Sequence, residues 1–231
     1  MIQGIEGRKR RERWREAGMS RSSEIAARER LLTSALELFT RKGYAATTVR
    51  EIVTAAGVTK PALYYHFGKK EGIYLELMSN ASAKFVALLD ASLHEQGSVT
   101  ERLLHLCDQV FSLFIDNIDV ARLMYAIYYG PPQGAPFFDF ESSQFKFRQR
   151  IRCLIKDGIR RGEFQKGRIE DMAWATLGAL NVAIEVQLCH PEEGVDRKGL
   201  ARILNLIFRG IWVDEIRQKN QLQLSTTPSM R

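Results

Sequence analysis

The segment TVREIVTAAGVTKPALYYHFGKK, residues 48–70, decides the fold because it predicts two short helices joined by a tight turn. Thr48 and Glu51 have the spacing of a capping box, in which each side chain satisfies a backbone N–H group of the other at the start of a helix. Gly57 can adopt a left-handed conformation, so we expect the first helix to end there. The apolar positions between these signals recur at helical spacing and predict one buried face; they are Val49, Ile52, Val53 and Ala56.

A second short helix is predicted from about Lys60 to His66. Thr59 can cap it, and Pro61 suits its first turn, where the missing N–H group removes no hydrogen bond. Leu63 is its predicted buried residue. The remaining positions carry groups that can donate to phosphates and base edges or pack on a thymine methyl; they are Lys60, Ala62, Tyr64, Tyr65 and His66. Such a surface favours a polyanionic partner.

This segment resembles the DNA-binding domain of the TetR family of bacterial transcriptional regulators, over about residues 25–75. The resemblance rests on Thr47 and Thr48, AAGV at 55–58, LYYHF at 63–67 and Lys70. It implies that Thr48 and Lys70 contact phosphates at helix ends and that Tyr64 and His66 contact the DNA backbone. It further implies that four positions of the second helix face bases: Lys60, Pro61, Ala62 and Tyr65. The full predicted DNA-binding set is Thr48, Thr59, Lys60, Pro61, Ala62, Tyr64, Tyr65, His66 and Lys70.

Lys60 is the best candidate in this set for direct readout, since a lysine can donate to guanine O6 or N7. An alternative interpretation is a helical hairpin whose tyrosines pack and whose lysines form a solvated face. The agreement of the helix-start, turn and charge signals favours the DNA-binding interpretation.

Basic residues are concentrated at the start of the chain. Residues 1–70 hold 15 Lys and Arg against 7 Asp and Glu, a net charge of +8, whereas residues 71–231 hold 19 against 20, a net charge of −1. This asymmetry is expected when one region meets phosphate and the other does not.

We predict an all-α fold of about nine helices. Residues 1–22 form a basic extension, predicted to be disordered, and residues 23–70 form a three-helix helix-turn-helix DNA-binding domain. Residues 71–231 form a larger helical domain for ligand binding and dimerisation, with a disordered tail at 219–231. The basic run at residues 7–15 could lie along phosphates or enter a minor groove. Because the sequence from Met19 looks like the usual beginning of a TetR-family chain, an extension without a structural role is the favoured interpretation.

Helical periodicity predicts the inward faces of two further helices. The first helix ends at Gly43, and a long helix from Glu71 to about His94 resembles the connector between the domains of this family. The predicted inward residues are Ile25, Leu32, Ala35, Leu36 and Phe39 on the first helix and Tyr74, Leu75, Met78, Phe85, Leu88 and Leu89 on the long one.

Several classes of function lack their sequence signals. No run of eighteen apolar residues and no apolar signal-peptide core is present, so we expect no membrane segment and a cytoplasmic protein. Cys107, Cys153 and Cys189 lie among apolar residues and are predicted to be buried thiols. The histidines show no metal-ligand spacing, and no phosphate loop or nucleophile elbow is found. We therefore expect no metal, no cofactor and no enzymatic activity.

A regulatory domain of this family would hold its ligand between helices. The predicted ligand-binding residues are Phe111, Phe114, Met124, Tyr128, Phe137, Phe145, Trp174 and Asn181. For each aromatic residue a simple core role is the alternative. Asn181 and Glu185 could anchor a polar group of an apolar ligand, or they could bond across a subunit interface or reach solvent, and the latter outcomes are slightly favoured.

The last two predicted helices, about 171–190 and 197–217, indicate assembly. The former is apolar on nearly all sides, so one face must pack on its own domain and another on something else. The resemblance implies a homodimer held by these two helices; the alternative is that both are internal core. The predicted interface residues are Val182, Val186, Leu200, Ile203, Leu204, Ile207, Phe208, Ile211 and Trp212.

The predicted function is a sequence-specific transcriptional regulator that binds double-stranded DNA at a palindromic operator. Repression released by an unknown, largely apolar small-molecule effector is the family expectation, and activation stays open. The alternatives are a DNA-organising or cell-division factor of this fold without such a ligand, and an enzyme in residues 76–231, which no visible catalytic constellation supports.

Overall fold

The computed structural model describes the backbone of residues 3–130 and 134–211, and the side chains of residues 23–130 and 134–211. Within these ranges it contains nine α-helices, which confirms the predicted all-α fold. Their bounds are α1 Gln3–Lys42, α2 Val49–Ala56, α3 Lys60–Phe67, α4 Lys70–Ala91, α5 Val99–Asp116, α6 Ile118–Tyr128, α7 Phe140–Arg160, α8 Ile169–Cys189 and α9 Arg197–Ile211. Two short 3-10 helices, Ser92–His94 and Pro191–Glu193, follow α4 and α8.

The chain divides into two compact units. The first comprises Met1–Ser79 with Arg122–Phe138, and the second comprises Asn80–Ala121 with Asp139–Arg231. The division therefore falls inside α4, later than the predicted boundary after residue 70. The predicted tail at 219–231 lies outside the described residues and remains a prediction. Helix α1 begins at Gln3, so the prediction of a disordered extension does not hold for the backbone of residues 3–22, whose side chains lie outside the described residues.

In the first unit, packing on a shared core stabilises two helices that are too short to be stable alone. Helices α2 and α3 have eight residues each, whereas isolated helices shorter than about 12–15 residues are marginal in water. Helix α1 packs against both of them. Burying each large apolar side chain contributes about 1.5–3 kcal/mol, and this burial fixes the short helices in place. The buried residues include Leu31, Ala35, Phe39, Ile52, Leu63, Phe67, Ile73 and Tyr74.

Two residues predicted to face inward do not do so. Ile25 is 53% exposed, because the buried stripe of α1 begins at Leu31, six residues later and about 120° away around the helix. Leu75 is 37% exposed and lies at the outer edge of the α4 stripe. The residues of that stripe in the first unit are Ile73, Tyr74, Leu77 and Met78.

Helix α8 is the central helix of the second unit. It packs against α5, α7 and α9, and α5 also packs against α7 and α9. Among the described residues, α8 is the one helix whose length and hydropathy would suit a membrane span. Its buried face shows instead that it is a core helix; the residues of that face are Ala173, Thr176, Leu177, Leu180, Ala183, Ile184 and Leu188.

The end of α7 packs unusually closely against the segment that follows it. An alanine Cβ at Gly158 would lie 2.4 Å from the ring of Phe164, so a side chain at position 158 has no room. Gly162 has φ +73 and makes the turn that returns the chain to the helix. The Phe164 ring is 1% exposed and stacks on Phe208 with 6.2 Å between ring centroids.

The prediction that all three cysteines are buried is wrong for two of them. Cys107 is buried on the inner face of α5, but Cys153 and Cys189 are exposed. Cys153 lies next to the buried face of α7, and Cys189 is the last residue of α8. Apolar neighbours in the sequence do not show whether a cysteine lies on the buried or on the exposed side of its helix.

Candidate nucleic-acid interface

The start of α2 has the predicted capping box. The backbone N–H of Thr48 donates to Glu51 Oε2 at 2.9 Å, and the backbone N–H of Glu51 donates to Thr48 Oγ1 at 3.3 Å. The helix ends at Gly57, whose φ of 62° and ψ of 39° are left-handed. The predicted bounds and end signals of this helix are therefore confirmed.

Helix α3 presents a polar and aromatic face outward. Thr59 caps it by accepting a hydrogen bond at 3.4 Å from the backbone N–H of Ala62. Leu63 and Phe67 are buried and fix the inner face of the helix. Lys60, Pro61, Tyr64 and Tyr65 are exposed, and Ala62 and His66 are partly exposed.

The tyrosines of this face are exposed and do not pack into the core. Tyr64 is 51% exposed and Tyr65 is 75% exposed, and Tyr65 makes an edge-to-face contact with His66 at 5.0 Å between ring centroids. The alternative in which the tyrosines are packing groups therefore does not describe this helix. A single exposed helix with donors of this kind fits the width of a major groove.

Charge at the start of α2 is arranged around Glu51. Hydrogen bonds from Lys42 and Thr48 lower the pKa of this carboxyl to about 2. Its Oε1 accepts a hydrogen bond from Lys42 Nζ. The carboxylate is thus ionised at neutral pH and paired, so it holds the first turn of α2 without leaving an unpaired negative charge where phosphate would approach.

Lys70 makes contacts that the sequence did not indicate. Its Nζ donates to the backbone carbonyls of Tyr44 and Thr47, each at 2.9 Å, and lies 4.1 Å from the centre of the Tyr44 ring. Burial lowers the pKa of this lysine. Two of its three N–H donors are therefore used inside the first unit, and its predicted phosphate contact stays a prediction.

Sequence reasoning missed two basic residues that support this site. Lys42 pairs with Glu51, and Arg28 both forms an ion pair with Glu76 and lies over the Phe67 ring, 5.4 Å from its centre. The Arg28 contacts tie α1 to α3 and to the start of α4. No local spacing signal reveals them, because the partners are distant in sequence.

Comparison with known proteins places this site in a family. The family described as "Bacterial regulatory proteins, tetR family" matches residues 31–77, which contain α2, α3 and the start of α4. This segment of the chain is a TetR-family DNA-binding region. The prediction of this family is confirmed, and TetR-family proteins are transcriptional regulators, which agrees with the prediction that the chain is not an enzyme.

Individual TetR-family relatives extend the match beyond the DNA-binding region. The uncharacterized HTH-type transcriptional regulator YdgC of Bacillus subtilis is 31% identical over 107 residues, which span 45% of this chain and only about half of that relative, 55% of its length. The HTH-type transcriptional repressor KstR2 of Mycolicibacterium smegmatis is 26% identical over 66% of this chain and 75% of its own length. The crystal structure of the TetR-family regulator PfmR from Thermus thermophilus covers 79% of this chain and 95% of that chain, with 28% identity and a TM-score of 0.64.

The residues predicted to bind a TetR-family effector fall into both units. Met124, Tyr128 and Phe137 belong to the first unit, and the other five belong to the second. In the second unit Phe111 is buried and Phe114 partly buried, whereas Phe145, Trp174 and Asn181 are exposed. In the first unit Tyr128 and Phe137 are exposed and Met124 is partly exposed. Glu185 is exposed as well, so the buried-anchor alternative for Asn181 and Glu185 does not hold within a single chain.

Three residues of the predicted dimer surface are covered by their own chain. Leu200, Leu204 and Phe208 are at most 1% exposed and form the inner face of α9, so assigning them to a surface for a partner is wrong. Val182 is 58% exposed, and the unpredicted Leu206 is 68% exposed. The partly exposed members of the predicted set are Val186, Ile203, Ile207 and Ile211, and Trp212 lies outside the described residues.

Among the described side chains, no group of three or more His, Cys, Asp or Glu residues is placed to hold a metal ion.

Proposed function

We propose that this protein is a sequence-specific DNA-binding transcriptional regulator, acting as a cytoplasmic homodimer that represses from a palindromic operator and is released by a small, largely apolar ligand. The observation that carries the proposal is the outward face of α3, where Lys60, Tyr64 and Tyr65 are exposed on a helix fixed from behind by Leu63 and Phe67. The net charge of +8 on residues 1–70 supplies the attraction to phosphate.

Each residue type on this face suits a distinct contact. Lys60, at the first position of α3, is the candidate for donation to guanine O6 or N7. Tyr64 and His66 can donate to the DNA backbone, and Tyr65 presents an aromatic face and a hydroxyl toward the bases. Thr48 lies at the start of α2, where the backbone N–H groups of the first turn favour a phosphate.

Dimerisation is supported by the outer face of α8 and α9. Trp174 and Val182 on α8 and Leu206 on α9 are each more than half exposed in the single chain, and large apolar groups at such exposure mark interaction surfaces when they are contiguous. A chain with one helix-turn-helix gains affinity by pairing, because two recognition helices then meet half-sites about one helical turn apart. A two-fold symmetric dimer implies a palindromic site.

Release by a ligand follows from a two-state equilibrium of the dimer. A ligand that binds better to the arrangement that does not fit the operator shifts the population away from DNA, and a ligand with equal affinity for both arrangements shifts nothing. Helix α4 begins in the first unit and continues into the second, and α6 also runs across a boundary between the units. We infer that α4 is a segment through which a change in the second unit would act. The apolar side chains of the second unit, including Phe111, Phe114 and Phe145, favour an apolar effector.

Selection from a randomised pool of DNA duplexes tests the DNA-binding proposal. We expect the wild-type protein to enrich a two-fold symmetric sequence with half-sites about 10 base pairs apart. Enrichment of no sequence, or binding dispersed over unrelated duplexes, would favour a DNA-organising role instead. Light scattering tests assembly at the same time, since a monomer at micromolar concentration contradicts the dimer.

The substitution Lys60→Ala tests the contact assignment. It should weaken binding to the selected duplex by about 1–3 kcal/mol and relax the preference at one base position. Lys166→Ala is the matched control, because it removes the same charge from an exposed lysine of the second unit. Equal affinities for the two variants would contradict direct readout by Lys60.

A further inference from the structure

The peptide unit between Thr47 and Thr48 is held from two sides by opposite charges. Its carbonyl oxygen accepts a hydrogen bond from Lys70 Nζ at 2.9 Å. Its N–H donates to the Glu51 carboxylate at 2.9 Å. The side chain of Glu51 is in turn bound by Lys42. The plane of this peptide, and with it the direction in which α2 starts, is therefore fixed by side chains of three different helical segments.

The turn that carries this peptide is also held by the buried Tyr44 ring, which packs on Phe39 and Tyr74, and by hydrogen bonds of Thr47. Thr47 Oγ1 donates to the Gly43 carbonyl at 2.8 Å, and the Thr47 N–H donates to the Tyr44 carbonyl at 3.2 Å. Lys70 adds the second contact to the Tyr44 carbonyl and lies against the Tyr44 ring. Carbonyls at a helix end that lack a helical partner need another donor when they are removed from water. Lys70 is that donor for the Thr47 carbonyl and a second donor for the Tyr44 carbonyl.

We propose that Lys70 is a positioning residue and not a phosphate ligand: its ammonium fixes the Thr47–Thr48 peptide, so that Thr48 and the first turn of α2 are in place before DNA arrives. The inference rests on the proposed DNA-binding function and specifies how its site is preorganised. Preorganisation raises affinity because the entropy of ordering the turn is no longer lost on binding. The lowered pKa of Lys70, which results from burial, agrees with an ammonium enclosed by the protein.

Two measurements on Lys70→Met in the full-length protein separate this role from a phosphate contact. The variant keeps most of the side-chain length and loses the charge and the donors. The matched control is Lys69→Met, which changes the adjacent exposed lysine. Amide hydrogen exchange on the free protein should show at least about tenfold faster exchange at Thr48, Glu51 and Ile52 in Lys70→Met only, because local opening becomes easier.

The second measurement is the salt dependence of binding to the duplex that the wild-type protein selects. We expect Lys70→Met to lower affinity about tenfold with the slope of log K against log salt unchanged. Loss of a phosphate contact would instead flatten that slope by about 0.9 for each contact removed. A flattened slope overturns the proposal whatever the exchange shows, and unchanged exchange at Thr48 and Glu51 overturns it as well.

Lys70→Gln covers the case in which the methionine variant does not fold. Glutamine is uncharged but retains an N–H donor, so it should show an unchanged slope and less acceleration of exchange than methionine does. A phosphate ligand predicts the opposite for glutamine, with a flattened slope and normal exchange. Absence of salt-dependent DNA binding by the wild-type protein would contradict the proposed function alone, because the exchange measurement uses no DNA.

Discussion

Replacing Gly158 with alanine should destabilise the second unit, because the added methyl group enters space that the Phe164 ring occupies. The new Cβ would lie 2.4 Å from Cδ2 and 2.7 Å from Cε2 of that ring. The ring cannot retreat easily, since it is 1% exposed and stacks at 25° on Phe208, which is itself fully buried. Either the ring or the end of α7 must move.

The magnitude follows from two opposing effects. Overpacking a well-packed core costs about 1–3 kcal/mol, and a ring supported on its far side places this position in the upper part of that range, at about 2–3 kcal/mol. Alanine is about 1 kcal/mol more favourable than glycine within a helix. The expected net loss in the free energy of unfolding for Gly158→Ala is therefore about 1–2 kcal/mol.

A double-mutant cycle with Phe164→Ala isolates the contact. Urea unfolding is followed at one fixed protein concentration, because the apparent stability of a dimer, the assembly proposed above, depends on concentration. In the Phe164→Ala background the ring atoms that the new Cβ would meet are gone, so Gly158→Ala should be neutral or stabilising by up to about 1 kcal/mol. Equal destabilisation by Gly158→Ala in both backgrounds, or stabilisation in the wild-type background, would refute the reasoning.

Two further predictions concern titrating groups. Burial, with a smaller contribution from the Asp108 carboxylate, raises the pKa of the Cys107 thiol to about 12. A thiol reagent at neutral pH should therefore modify the exposed Cys153 and Cys189 rapidly and reach Cys107 only after denaturation. Three fast-reacting thiols in the folded protein would contradict the burial of Cys107. The pKa of Glu51 is lowered from 4.5 to about 2, so its contribution to stability is complete above pH 4.5 and is lost as the pH falls toward 2. Titration of the Glu51 carboxyl by NMR should show a midpoint near 2, and a midpoint near 4.5 would show that its hydrogen bonds from Lys42 and Thr48 are absent in solution.

Local chemistry made the DNA-binding segment predictable. The Thr48–Glu51 box, the glycine at 57 and the proline at 61 each act over a few residues. Their spacing in the sequence is therefore enough to predict where the helices begin and end. The exposure of Tyr64 and Tyr65 followed from the helix that these signals define. The helix ends in this region consequently agree with expectation to within one residue.

Contacts between distant residues were not predictable in this way. Nothing in the sequence near Lys70 indicates that its ammonium binds the carbonyls of Tyr44 and Thr47, because 23 or more residues separate the partners. The same holds for Arg28, which meets Glu76 and the Phe67 ring only after the helices have packed. A motif assigned Lys70 a contact with DNA, and the folded chain in addition gives its ammonium two internal acceptors.

An apolar pattern identifies a buried face but not what covers it. Leu200, Leu204 and Phe208 recur every four residues and were assigned to a partner, yet their own chain buries them. On α8 the apolar residues surround the helix, and only the structure separates the core face from the face that carries Val182. Cys153 and Cys189 were misplaced for the same reason.

The burial of Ile73 and Tyr74 determines where chimeric regulators can be joined. Both side chains are fully buried in the core of the first unit, although they follow the recognition helix and lie beyond residue 70. A fusion that transfers residues 23–70 to another sensor would replace these two side chains and leave α3 resting on an incomplete core. A junction after Ser79 keeps Ile73 and Tyr74 with α1, α2 and α3, and only Arg122–Phe138 of the first unit then comes from the other sensor, so operator specificity can be exchanged as a module.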